Sequence, residues 1–174
     1  MSQLCGLAGN ESITLCAPLQ KLKGEHIPLR KQMENLYEMS ISMEEEKDIG
    51  AMKEKLLLLR NGVINFVSHL DPHSEKEEGV LFPMVANYIG KDFGPIFVME
   101  YEHDQAKANL KKFLERSAAV ELDATITELP PIAQLYNEAY HILQGHFVKE
   151  EEILFPMAEK LLTIEEKHRL EKLL

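Results

Sequence analysis

The sequence has no tryptophan, only two cysteines, and no apolar run near the roughly eighteen residues that a bilayer-crossing helix needs. It also lacks any cluster of lysine and arginine. Acidic residues outnumber basic ones 29 to 19, for a formal net charge of −10 and a pI near 5.2. A chain of that sign is repelled by phosphate backbones and anionic bilayer surfaces, so neither nucleic acid nor membrane is expected as a partner. Cys5 and Cys16 form no CxxC pair, which removes the usual thiol metal and redox motifs and leaves an expectation of free, reduced thiols. The first residues, Met-Ser-Gln-Leu-Cys-Gly-Leu, have no charged segment followed by an apolar core, so a cytoplasmic location is expected. At 174 residues with 45% apolar side chains, the chain suits one domain with one core.

Proline and glycine are gathered at a few breaks: Pro18, the Gly90-Lys-Asp-Phe-Gly-Pro95 segment, and Pro130-Pro131. Between the breaks, apolar residues recur at steps of three and four. The first stripe runs Leu15, Leu19, Leu22, His26, Leu29, Met33, Leu36, and its helix is expected to start after Pro18. The second runs from Ile49 through Met52, Leu56, Leu59, Val63, Phe66, Leu70, His73 and Glu77 to Val80 and Met84. A third joins Ile96, Met99, His103, Ala106, Leu110 and Phe113; a fourth joins Ile132, Leu135, Ala139, Ile142, His146, Glu150, Ile153 and Met157. Four such stripes with no strand-period segment predict an all-α, antiparallel up-down four-helix bundle over residues 19–160. Residues 1–18 would form an N-terminal extension. Residues 161–174 would form a short C-terminal helix, because Thr163 and Glu166 have capping-box spacing. Asp71-Pro72 predicts a kink or a fresh helix start, Pro83 and Pro156 predict bends or ends, and the acidic stretch 38–48 predicts a solvated loop.

The chain repeats itself. His73-Ser-Glu-Lys-Glu-Glu-Gly-Val-Leu-Phe-Pro-Met aligns with His146-Phe-Val-Lys-Glu-Glu-Glu-Ile-Leu-Phe-Pro-Met, and a Glu-His pair precedes each copy at Glu25-His26 and Glu102-His103. At about 100° per residue, His and Glu four apart stand one turn apart and only about 40° around the helix, so both reach the same interior point. Six stripe positions that would ordinarily be leucine or isoleucine are instead His26, His73, Glu77, His103, His146 and Glu150. Buried carboxylates among histidines need a partner, and a cation cluster satisfies all six at once. Imidazole and carboxylate without thiolate suit iron or manganese, with zinc as a further option. Glu25, Glu78, Glu102 and Glu151 flank these positions, either as acceptors for imidazole N–H groups or as solvated charges. The Leu-Phe-Pro-Met segments read as packing around the site.

On these motifs the chain resembles the hemerythrin-like (HHE cation-binding) family, from about residue 19 to 160. Its third-helix motif is Met99-Glu-Tyr-Glu-His103, and the segment Pro95-Ile-Phe-Val-Met-Glu-Tyr-Glu-His-Asp-Gln-Ala106 also looks like the di-iron domain of iron–sulfur cluster repair proteins. The resemblance implies a non-haem centre of two iron ions, oxo- or hydroxo-bridged, that binds or senses O2 or NO. Alternatively, it implies an enzyme that reduces NO or peroxide or aids cluster repair. The family's centre commonly has five histidines and two carboxylates, so one ligand is missing from the set above. His69 is the first candidate for it, Glu100 the second, and water or a small ligand the third. The chain departs from the repair proteins in having no adjacent cysteines and no histidine between His26 and His69. It departs from the oxygen carriers in having Met99 one turn before His103 and Glu150 in the carboxylate role. A ferritin-like site is the weaker alternative, since of Glu100–His103, Glu138–His141 and Glu165–His168 only the first shares a face with the other candidates.

Overall fold

A computed structural model describes residues 13–120 and 123–174. Cys5 and most of the expected N-terminal extension lie outside them. The described residues are helical, with no strand. Helix α1 spans Ala17–Ile41, α2 Ile49–Lys76, α3 Phe82–Ile89, α4 Pro95–Ala118, α5 Pro130–Lys149, α6 Phe155–Leu161 and α7 Ile164–Leu173. Short connections between α1 and α2 and between α4 and α5 force antiparallel neighbours. The four long helices close a ring, with α1 on α2, α2 on α4, α4 on α5 and α5 on α1. No described helix is long and apolar enough to cross a membrane.

Helix starts follow local chemistry. Pro18 sits inside the first turn of α1 rather than before it, because its missing N–H costs nothing where amides have no helical acceptor. Asp48 caps α2 by accepting from the Ala51 amide at 2.8 Å. Thr163 and Glu166 complete the expected capping box at α7. Pro72 neither kinks α2 into two elements nor starts a new one; the helix runs through it, as α1 runs through Pro28. The 38–48 stretch is only partly solvated, since α1 continues to Ile41 and both Ser40 and Met43 are buried.

The largest departure from the periodic reading lies at Pro83 and Pro156. Each helix does not end there. A π-helical turn, Glu77–Leu81 in one half and Glu150–Leu154 in the other, joins α2 to α3 and α5 to α6. The Phe82 amide donates five residues back to the Glu77 carbonyl, and the Phe155 amide to the Glu150 carbonyl. The wide turn inserts one extra residue just where proline cannot supply a donor. Every position beyond it is therefore displaced by one. The predicted Val80 and Met84 are half-buried, and Leu81, Phe82 and Val85 are buried instead. In the second copy Ile153 is 49% exposed, while Leu154, Phe155 and Ala158 take the core.

Two apolar clusters fill the bundle. One runs from Leu29, Phe66 and Leu70 to Phe113, Tyr136 and Phe147. The other gathers Leu19, Leu22, Leu81, Phe82, Met99, Leu154 and Phe155. Between them, at mid-height, lies a polar layer.

Candidate metal centre

The polar layer holds the six residues singled out by the repeat. His26 from α1, His73 from α2, His103 from α4, His146 from α5 and the first residue of each π turn, Glu77 and Glu150, are all at most 3% exposed. Their donor atoms fall into two overlapping groups, each with all atoms within 4.8 Å of one another: His26, His73, Glu77, Glu150, and His103, His146, Glu77, Glu150. The carboxylates belong to both. Glu77 turns Oε1 to His73 Nε2 at 3.3 Å and Oε2 to His103 Nε2 at 3.6 Å. Glu150 turns Oε1 to His146 Nε2 at 3.1 Å and Oε2 to His26 Nε2 at 3.3 Å. Each carboxylate thus spans both groups with one oxygen in each.

These contacts are close but are not aligned as hydrogen bonds: both oxygens of both carboxylates, and His146 Nε2, are buried without a hydrogen-bond partner. His26 Nε2 and His73 Nε2 also face each other at 3.2 Å. Buried carboxylate oxygens that converge without hydrogen-bond partners are what a cation completes, and each group could hold a metal ion.

The outward nitrogens are all occupied. His26 Nδ1 meets Glu151 at 2.8 Å, His73 Nδ1 meets Glu25 at 2.9 Å, His103 Nδ1 meets Glu78 at 2.6 Å, and His146 Nδ1 meets Glu102 at 3.1 Å. A carboxylate accepts, so each Nδ1 carries the proton and each Nε2 presents its lone pair inward. Of the two readings open for the four flanking glutamates, the structure takes the acceptor one for all four. Phe147 stacks on the His26 ring at 4.3 Å, and Phe82 and Phe155 from the repeated segments pack against His103 and His26.

His69 is not brought to the layer. It lies about 60° around α2 from buried Phe66, is exposed, and its Nδ1 meets Gln32 at 3.1 Å. Glu100 is likewise exposed, as are His141 and His168 of the ferritin-like alternative. Sequence reasoning missed the cations behind the outer carboxylates: Arg30, Lys76, Lys107 and Lys149. The signal was present, since each lies three or four residues after a layer histidine.

Without metal, protons take its place. Burial pulls the His73 ring down, but Glu77, Glu25 and Glu150 outweigh it and push the pKa up to about 9. His146 is pulled down by burial and raised to about 9 by Glu102, Glu150 and Glu77. Burial and the charge of His146 hold His103 at about 4. Burial and the charge of Glu150 push Glu77 up to about 8. Burial opposes ionisation of Glu150 too, yet His146 and His26 hold it well below the carboxylate range.

His73 and His146 are raised from 6.5, so their contribution to folding is complete below about pH 6.5 and is lost as pH rises through 9. Glu77, raised from 4.5 to about 8, weakens folding in the same direction over that range. The metal-free protein should therefore melt at a lower temperature at pH 9 than at pH 6.5. Divalent metal competes for the same lone pairs, so its affinity should rise over that interval with release of roughly two to three protons per chain at pH 7. Calorimetry in two buffers of different ionisation enthalpy counts those protons; no release would contradict the charge states above.

An all-helical ring with a dry histidine–carboxylate layer at its centre defines a metal-binding helical bundle. Comparison with known proteins makes the class specific: the sequence profile of the hemerythrin HHE cation binding domain matches residues 17–158. The chain belongs to that family. Its relatives include the iron-sulfur cluster repair protein YtfE of Pectobacterium atrosepticum, 31% identical over 102 residues, or 58% of this chain and 46% of the relative. YtfE of Musicola paradisiaca is 38% identical over 92 residues, 51% of this chain and 41% of the relative. YtfE of Escherichia coli O157:H7 is 35% identical over 91 residues, again 51% and 41%. These matches span less than half the length of the relatives.

Proposed function

We propose that the chain holds two iron ions in this layer and uses them to bind or sense a small diatomic ligand, O2 or NO. The observation that carries this reading is the placement of Glu77 and Glu150, each with one oxygen in each donor group. Two imidazoles and two carboxylate oxygens in each donor group would hold one ion, and that mixed donor set would suit iron. Iron held in this way supplies exchangeable positions and electrons for O2 or NO. The chain's own residues do the rest. The outer carboxylates fix the imidazole tautomers, and Phe82, Phe147 and Phe155 exclude bulk water.

The relatives' name, iron-sulfur cluster repair protein, favours a second reading in which the centre consumes NO or peroxide or gives up iron to a damaged cluster. Anaerobic titration with ferrous iron tests the first claim. The expected result is two irons per chain, with near-ultraviolet absorption of a ferric pair after exposure to air. A colourless protein with less than one iron per chain would overturn it. Spectral changes that reverse when O2 or NO is removed support binding, whereas sustained loss of NO or peroxide with a reductant supports the second reading.

A further inference from the structure

The outside of the layer is built the same way four times. Each outer carboxylate is the chain neighbour of a layer residue on one helical segment and accepts from the histidine of the next. Glu25, beside His26, accepts from His73; Glu78, beside Glu77, accepts from His103; Glu102, beside His103, accepts from His146; Glu151, beside Glu150, accepts from His26. A cation one turn beyond that histidine, on the histidine's own helix, grips the same carboxylate. Lys76 donates to Glu25 at 2.5 Å, Lys107 to Glu78 at 2.5 Å and Lys149 to Glu102, while Arg30 is ion-paired with Glu151 at 3.0 Å without an aligned hydrogen bond. The four triads form a closed head-to-tail ring around α1, α2, α4 and α5.

Ordinary surface ion pairs contribute little and fall where long side chains happen to meet. Here each of the four outer carboxylates is shared between a cation and an inward-facing imidazole, in a chain where cations are the minority. The carboxylates are only 18–33% exposed, so solvent screens them incompletely.

We propose that Arg30, Lys76, Lys107 and Lys149 are positioning residues that set the reduction potential of the metal pair through the outer carboxylates and imidazoles. This inference rests on the di-iron reading above. A bare carboxylate on Nδ1–H draws the proton toward itself and makes the imidazole a stronger donor, which favours the more oxidised metal. A cation on that carboxylate offsets the pull and adds positive charge of its own. Removing the cation therefore favours the ferric state.

The test compares Lys76→Met, Lys107→Met and the double variant with wild type by spectroelectrochemistry. Iron content is expected to stay at two per chain. The ferric-to-ferrous ratio at fixed ambient potential is expected to rise about fivefold for each cation removed and multiplicatively in the double. Lys76→Arg should restore the wild-type ratio. Lys111→Met, which removes an exposed pair with Glu115 at 3.9 Å, should leave it unchanged. Equal ratios in wild type and the double variant would overturn the proposal, as would an equal shift in Lys111→Met. Failure of the di-iron reading shows separately, as wild type that takes up no iron pair. The ring is then judged in the metal-free protein by histidine-selective nitrogen NMR. Lys76→Met should remove exchange protection from the His73 ring N–H and leave that of His103; protection unchanged at His73 would overturn the ring.

Discussion

Replacing His73 and His146 together by alanine should leave a folded helical protein that retains no iron pair. The two residues lie in different donor groups, so the double change takes one of two imidazoles from each. What remains for each ion is one imidazole and one oxygen from each of two carboxylates. The loss extends further, because His73 and His146 are among the partners that favour the ionised forms of Glu77 and Glu150. Without these rings a proton on either carboxylate competes more strongly with metal, which weakens binding further. A change of this kind to metal ligands should lower affinity by at least several hundredfold, measured by competition with a chelator of known affinity. His69→Ala is the matched control. It removes an exposed ring that meets only Gln32, so two irons should remain. Retention of the pair in the double variant would refute the ligand set, and loss of iron in the control would restore His69 to it.

The fold and the six layer residues were legible because both obey one regular period. A helix that packs in a bundle must repeat its apolar face every three or four residues, and a histidine or glutamate at such a position stands out against that rule. The capping box at Thr163 was legible for the same local reason. What escaped was whatever broke the period or crossed between helices. The π turns at Glu77 and Glu150 add one residue to the register, so Val80 and Ile153 were read as core where Leu81 and Leu154 are. Proline at 83 and 156 announced a break but not its kind, since a wide turn and a helix end both dispose of the missing donor. His69 was the first candidate for the missing ligand because it lies one turn before His73. The stripe, however, is centred between Phe66 and Glu77 and leaves His69 at its edge. The outer glutamates stand beside layer residues in sequence but serve histidines on other helices, a pairing that only the closed ring reveals.

The second large effect runs in the opposite direction for stability and for binding. Replacing Glu77 and Glu150 together by leucine should abolish the metal pair while making the metal-free protein more stable. Both side chains are fully buried, and all four of their oxygens lack hydrogen-bond partners. The metal-free fold therefore bears the desolvation of two carboxyl groups against misaligned contacts with imidazoles. Leucine has a similar volume, suits the apolar clusters above and below the layer, and asks for no partner. With the carboxylates gone, His73 and His146 lose part of what raises them and burial draws both rings toward the neutral form, while their Nδ1–H groups still donate to Glu25 and Glu102. No charge is stranded by the change. Exchanging buried ionic groups for apolar ones of like size has typically stabilised proteins by about 1–4 kcal/mol. For a chain of this length that raises the melting temperature by roughly 3–12 °C. Parallel melts of wild type and variant, both metal-free and at pH 7, measure the difference, and iron analysis after ferrous loading should find none in the variant. A metal-free variant that melts below wild type would show that the carboxylates stabilise the empty fold; a variant that keeps two irons would show that they do not join the two donor groups. The expected pair of results would place the layer among sites whose residues are retained for what they bind, at a cost to the fold that carries them.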